Sequence, residues 1–194
     1  MPLAVARIQA GAEKDDVFPP PRLISGWMVE PVARAKRPVW IWGAGHVGRA
    51  LVDVLAPLPE MDLTWVDTDT AHFPRTVPTH VNPIAAAQPE KLVPYAPLHA
   101  EHLIVTYSHD LDLELCHQLL THGFSFAGLI GSATKWARFK SRLGALGHSH
   151  DTVLRITCPI GDPLLGKEPH RIAIGVAHDL IATPRAAQKL EGTA

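Results

Sequence analysis

The sequence predicts an α/β protein built on a doubly wound, mostly parallel sheet. Three observations carry this. Short apolar runs alternate with segments patterned as amphipathic helices along most of the chain. The first run, Val39-Trp-Ile-Trp42, breaks into Gly43-Ala-Gly45-His-Val-Gly48 and then into a helical pattern of Val47, Leu51, Val52 and Leu55. The next run, Leu63-Thr-Trp-Val66, ends at Asp67, nineteen positions after Gly48. Strand, glycine turn, helix, strand and acid in that order make a dinucleotide-binding unit.

Each residue of that unit has a physical reason to be there. Gly43 permits the tight turn, Gly45 lets backbone N–H groups approach a phosphate, and Gly48 lets the helix lie close on the sheet. The helix start adds partial positive charge and free N–H donors. Asp67 is placed to accept a hydrogen bond from a ribose hydroxyl. His46 lies between the glycines, either beside the phosphates or as a tolerated side chain.

Composition bounds the rest. At 194 residues the chain has room for one ordinary domain and a short appendage, and 46% hydrophobic content with a formal charge of −1 is that of a soluble globular protein. A core of this size buries roughly 70% of the unfolded surface, so folding needs neither metal nor disulfide. No basic stripe argues for nucleic acid, and no apolar run reaches membrane-spanning length. Two widely separated cysteines, Cys116 and Cys158, fit a reducing compartment, and Arg7 interrupts what a signal peptide would need to be apolar. The expected location is the cytoplasm.

Residues 1–37 read as a leader and docking segment: Phe18-Pro-Pro-Pro21 as a stiff extended spacer, Leu23 to Val32 as a short segment feeding the first strand. Residues 38–194 form the predicted domain. Val77 to Val81 is expected as a third strand, followed by a Pro- and Ala-rich connection. His102 to Thr106 is a clearer strand with a β-branched centre. The helix after it buries Leu111, Leu115 and Leu119, with Cys116 and Leu120 beside them, is capped by Ser108 or Asp110, and stops at His122-Gly123. Phe124 to Ile130 is the next strand, and the helix from Gly131-Ser132 carries Trp136, Phe139, Leu143 and Leu146 on one face. Val153 to Ile156 is read as a final short strand. The last helix starts near Pro169, has the stripe Ile172, Val176 and Leu180, and ends before Pro184; Gly175 inside it implies a close backbone contact.

In such sheets the ligand lies outside the carboxyl ends of the strands. That gathers Gly43–Gly48, Asp67–Thr70, Thr106–Asp110 and Gly131–Lys135 around one cleft. Ser132 and Lys135, at a helix start, are placed for a second anionic group, although Arg138, Lys140 and Arg142 make a solvated face the alternative. His109 is a candidate for ligand contact or proton transfer. Cys158, before Pro159, is a candidate for a soft metal such as molybdenum or for sulfur transfer, or else an inert core thiol. Cys116 reads as core. His148 and His150 read as solvated, for want of a third ligand. No serine-hydrolase, zincin or P-loop motif occurs.

The runs Trp42-Gly-Ala-Gly-His-Val-Gly48, Leu63-Thr-Trp-Val-Asp67 and Thr106-Tyr-Ser-His-Asp110 together resemble the carboxyl-terminal, Rossmann-like domain of the xanthine dehydrogenase accessory protein (XdhC/CoxI) family. So do Gly128-Leu-Ile-Gly-Ser-Ala-Thr-Lys135, Cys158-Pro-Ile-Gly161 and Gly166-Lys-Glu-Pro169, and the resemblance covers about Val29 to Ile181. It implies a chaperone that binds molybdenum cofactor while its terminal sulfur is installed and passes it on. The implied partners are an apo-molybdenum hydroxylase of the xanthine dehydrogenase type and a cysteine desulfurase or sulfurtransferase. Gly43, Gly45, Gly48 and Asp67 would then hold phosphate and polar groups of the pterin or its dinucleotide form, with His109 and Cys158 at the molybdenum end. Such a protein acts by binding and transfer rather than turnover, and a homodimer is compatible with it. Members of the family carry an amino-terminal domain of about a hundred residues; here the Pro-containing leader occupies that place, so that domain's role is not assigned to this chain. The alternatives are an NAD(P)-dependent oxidoreductase, with NAD favoured by Asp67 and Asp69, and a nucleotide-sensing regulatory domain.

Overall fold

The structure, a computed structural model, describes residues 1–8, 21–30 and 36–183. The chain divides into two compact units, Met1–Lys36 and Arg37–Ala194. In the first, residues 3–8 are helical (α1), and a hairpin pairs β1 (Arg22–Ile24) with β2 (Trp27–Val29). This hairpin falls within the stretch Leu23 to Val32 read as a short docking segment, of which residues 31–32 lie outside the described residues. Ser25 and Gly26 both take positive φ, 51° and 81°, which is the geometry that a two-residue turn between twisted strands demands. Residues 18–20 of the expected spacer lie outside the described residues.

In the second unit six parallel strands run in the order β5-β4-β3-β6-β7-β8, comprising β3 (Arg37–Trp42), β4 (Met61–Asp67), β5 (Val81–Ala85), β6 (Glu101–Ile104), β7 (Phe126–Leu129) and β8 (Ile156–Thr157). The helices are α2 (His46–Leu55), α3 (His109–His122), α4 (Ala133–Ala145), the short α5 (His150–Val153) and α6 (Pro169–Ala182). Strand order reverses between β3 and β6, so the doubly wound expectation holds and the switch-point crevice opens there. Two boundaries differ from the sequence reading. The third strand begins at Val81 rather than ending there, because Pro83 is tolerable on the edge strand β5, which pairs only with β4. The stretch before β8 is helical, since Ser149 caps α5 by accepting the Thr152 N–H.

The central strand is buried on both faces, as a parallel sheet requires. Trp40 and Trp42 point into one core layer with Ile104, Leu115, Leu119 and Phe139. Val39 and Ile41 point into the other, with Leu51, Leu55, Val176 and Leu180 of α2 and α6. A Cβ on Gly175 would stand 2.7 Å from the Asp162 nitrogen, the close approach expected of that glycine. At the opposite end of the sheet Arg37 donates to Glu101 at 2.6 Å and to the Leu180 carbonyl at 2.9 Å, tying the first strand of this unit to the end of its last helix. Among the described residues no helix is long and apolar enough to cross a membrane.

His102 is fully buried between the tryptophans. Its Nδ1 accepts the Trp42 indole N–H at 3.1 Å, which places the imidazole proton on Nε2, an atom with no hydrogen-bond partner among the described residues. Burial first, then the nearby His122, depress its pKa to about 3. An unfolded histidine takes its proton near pH 6.5, the folded one only near 3, so this residue's share of the stability is complete above about 6.5 and erodes as pH falls. Urea unfolding should show a loss of about 1 kcal/mol per pH unit from this source between pH 6 and 4. A His102→Phe chain, less stable at pH 7.5 because the Trp42 N–H is orphaned, should lose that slope.

Candidate functional site

The site is built on the carboxyl ends of β3, β4, β6 and β7. After Trp42 the backbone turns at Gly43, whose φ is +118° and whose added Cβ would meet the Val105 carbonyl oxygen at 2.7 Å. Gly43 donates its N–H to Val66 at 2.8 Å and accepts from the Trp65 indole at 3.0 Å. Gly48 packs against that same Gly43 carbonyl: a Cβ there would come to 1.9 Å. Gly45 differs from both. Its φ is −71°, and a Cβ on it would meet nothing within 4 Å. It stands at the N-cap of α2, exposed, with His46 exposed as the first helical residue.

Asp67, 5% exposed, accepts from the Ala44 N–H, from the Thr68 N–H at 2.6 Å and from His72 Nδ1 at 2.5 Å. The carboxylate that the sequence assigns to a ribose is therefore engaged within the chain, where it fastens the glycine loop to the loop after β4. Arg49 reinforces the fastening, donating to Ala44 O at 3.1 Å and to His72 O at 2.5 Å. Burial pushes Asp67 up, but hydrogen bonds from His72, Ala44 and Thr68 outweigh it and hold the carboxyl below its ordinary range. The same hydrogen bond raises His72. The pair is complete between the unfolded values of about 3.9 and 6.5. It weakens as pH falls through the depressed Asp67 value, and again as pH rises through the raised His72 value. His72 also meets the exposed Tyr107 ring edge-on at 6.1 Å.

The switch-point crevice, between Trp42, Gly43, Asp67, Thr106, Tyr107 and Leu111, has a volume of about 10 Å³. That admits about one water molecule. On the outer side of the glycine loop, a Cβ on Gly45 would meet nothing within 4 Å.

One strand further along lies a second group of residues, around Lys135, whose ammonium is not on the solvated face that the neighbouring basic residues suggested. It donates to Asp112 at 2.5 Å and to the Ile130 carbonyl at 2.9 Å, with the side chain 11% exposed and Asp112 fully buried. Thr106 Oγ1 completes the cluster by donating to Asp112 at 2.6 Å. Burial raises the Asp112 pKa, only partly offset by Lys135 and Thr106. Sequence reasoning does not join Asp112 to Thr106, because an acid in the first turn of a helix is ordinary there. The position of Asp112 four residues before buried Cys116, on the same helix stripe, was the available signal. Ser132 caps α4 through the Lys135 N–H at 3.1 Å, and Ser108, not Asp110, caps α3.

His109 is exposed as the first residue of α3 and borders a cleft at the start of α4. Cys158 is half-buried, its sulfur lying 3.2 Å from where a Gly131 Cβ would be. Burial pushes its thiol up to about 11, so at neutral pH it is protonated. No group of three metal-ligating side chains forms among the described residues. Cys116 is core, as expected. His148 is not simply solvated: its Nε2 lies 2.7 Å from Nδ1 of His117.

Comparisons with known proteins agree with this geometry. The XdhC Rossmann domain family matches residues 39–180. Among solved structures, one described as a xanthine dehydrogenase from Bacillus halodurans is 21% identical with a TM-score of 0.61, over 86% of this chain and 46% of that one. A Rossmann-fold NAD(P)-binding family protein from Shigella flexneri is 14% identical with a TM-score of 0.51, over 77% of this chain and 89% of that one. These likenesses show the shared fold, and the chain spans about half the length of the Bacillus protein. No curated protein matches the chain. With the family match covering the glycine loop, the engaged acid and every strand of the parallel sheet, the chain belongs to the XdhC Rossmann domain family.

Proposed function

We propose that this chain is an accessory factor for a molybdenum hydroxylase of the xanthine dehydrogenase type, holding molybdenum cofactor and passing it to the apo-enzyme. Membership of the XdhC family supports the accessory role. One observation carries the binding half: Gly45 is a glycine that the fold does not require. Its backbone angles suit any residue and a side chain would have room, so the space it leaves is space for a ligand. The N–H groups at the start of α2 face that space, which suits the phosphate that molybdopterin carries. In this reading the chain acts by binding and release. The partners under this reading are the apo-hydroxylase and the sulfurtransferase that installs the terminal sulfur.

The test is native mass spectrometry of the whole chain with molybdenum cofactor, NAD and NADP in separate mixtures, beside Gly45→Val. The variant should melt within about 1 kcal/mol of the parent, because its side chain enters open space, and should lose at least tenfold in cofactor affinity. Binding of NAD alone would replace this proposal with a nucleotide sensor or oxidoreductase. Since Asp67 is engaged by Ala44 and His72, dinucleotide binding should also shift the Ala44 amide resonance.

A further inference from the structure

Beside the start of α4 lies a cleft of about 170 Å³, roomier than the glycine-loop crevice, walled by His109 and Ser132, floored by Phe139 and the Lys135 stem, and rimmed by Arg138 and Arg142. With Lys135 neutralised by Asp112 beneath the floor, the charge of the cleft comes from the two arginines. They stand four residues apart on α4 and so share a face, where like charges repel. Arg138 has no polar partner among the described residues, and Arg142 reaches only the exposed Asp110 at 3.4 Å, a contact of little strength. Ser132 serves the Lys135 N–H, which leaves the first-turn amides of Ala133 and Thr134 without an intrahelical acceptor. Two forked cations and the first turn of α4 border a space well under the roughly 300 Å³ of a whole small-molecule pocket. It takes a group, not a nucleotide.

We propose that this cleft is a second anion site, taking a phosphate monoester between Arg138, Arg142 and the start of α4. Guanidinium forks match phosphate oxygens two at a time, whereas a lysine offers a point charge. The loops after β3 and β7 are separated by β6, hence by two strand spacings, roughly 10 Å. That is too far for one pyrophosphate to fill both sites, so the cleft can be occupied whether or not the glycine loop is.

The experiment is a ¹⁵N NMR titration of the full chain with phenyl phosphate and with inorganic phosphate, at ionic strength matched by sodium chloride. The amides of Ser132 to Lys135 should shift saturably, and Arg138→Gln with Arg142→Gln should weaken binding at least tenfold at unchanged melting temperature. Arg138→Lys with Arg142→Lys should recover part of it. Gly45→Val should leave the cleft titration as it is, so a failure of the cofactor proposal does not decide this one. Shifts confined to Gly45–Val47, binding unchanged in the double glutamine variant, or no response beyond that to chloride would each overturn the assignment. Tighter displacement of the same amides by a glutamate-rich peptide would overturn it in favour of a protein partner.

Discussion

Gly48→Ala is expected to lower the melting temperature by about 6–12 °C or more, the shift that goes with a loss of roughly 3 kcal/mol in a chain of this size. Its Cβ would stand 1.9 Å from the Gly43 carbonyl oxygen, and that carbonyl has nowhere to retreat. It is held by the Trp65 indole, and Gly43 itself is pressed against the Val105 backbone at a φ of +118°. Relief would therefore move β3, the Trp65 contact or the turn, and each belongs to the buried core. Gly45→Ala, three positions away in the same motif, should change stability by less than about 1 kcal/mol. Thermal unfolding of the two variants side by side separates the glycine that packs from the glycine that leaves room. Equal losses would mean that Gly45 is structural and would remove the main support for a phosphate there.

Lys135→Met is expected to cost about 3–5 kcal/mol, because it leaves Asp112 buried without its cation. The deficit should shrink as pH falls, since Asp112, already raised by burial, would rise further and a protonated carboxyl carries no buried charge. Combining Lys135→Met with Asp112→Leu should restore most of the loss, as replacing a whole buried ion pair by apolar groups is often neutral or better. Denaturant titrations of the four chains of this cycle at pH 7.5 and 5 would show it. A Lys135→Met chain as stable as the parent would mean that the pair is solvated in solution and that its ammonium is available to a ligand after all.

What was legible in the sequence was what depends on neighbours along the chain. The spacing from Gly43 to Asp67 is set by one turn, one helix and one strand, so the unit could be read before any tertiary contact was known. The buried stripes of α3, α4 and α6 follow from helical period in the same way, apart from the end residue Leu146, which is exposed. Partners brought together by the fold could not be read. Lys135 lies 23 positions from Asp112, and nothing local distinguishes it from Arg138, which has no polar partner among the described residues. Asp67 was found, but the direction in which it spends its oxygens depends on His72 and Ala44 arriving beside it. His102 opened a strand pattern and became a core residue only because the parallel sheet covers both faces of β6.

The pairing of α2 with α6 has a consequence for synthesis on the ribosome. The apolar face of α2, with Leu51, Val52 and Leu55, emerges among the first elements of its unit, yet its cover of Ala173, Val176 and Leu180 is translated more than a hundred residues later. At roughly 5–20 residues per second that face waits about 6 to 24 seconds for its partner, and Arg37 waits longer still for the Leu180 carbonyl. The nascent chain therefore displays an adhesive surface until α6 is made. Truncations that stop before Pro169 should accumulate as aggregates or as clients of cellular chaperones.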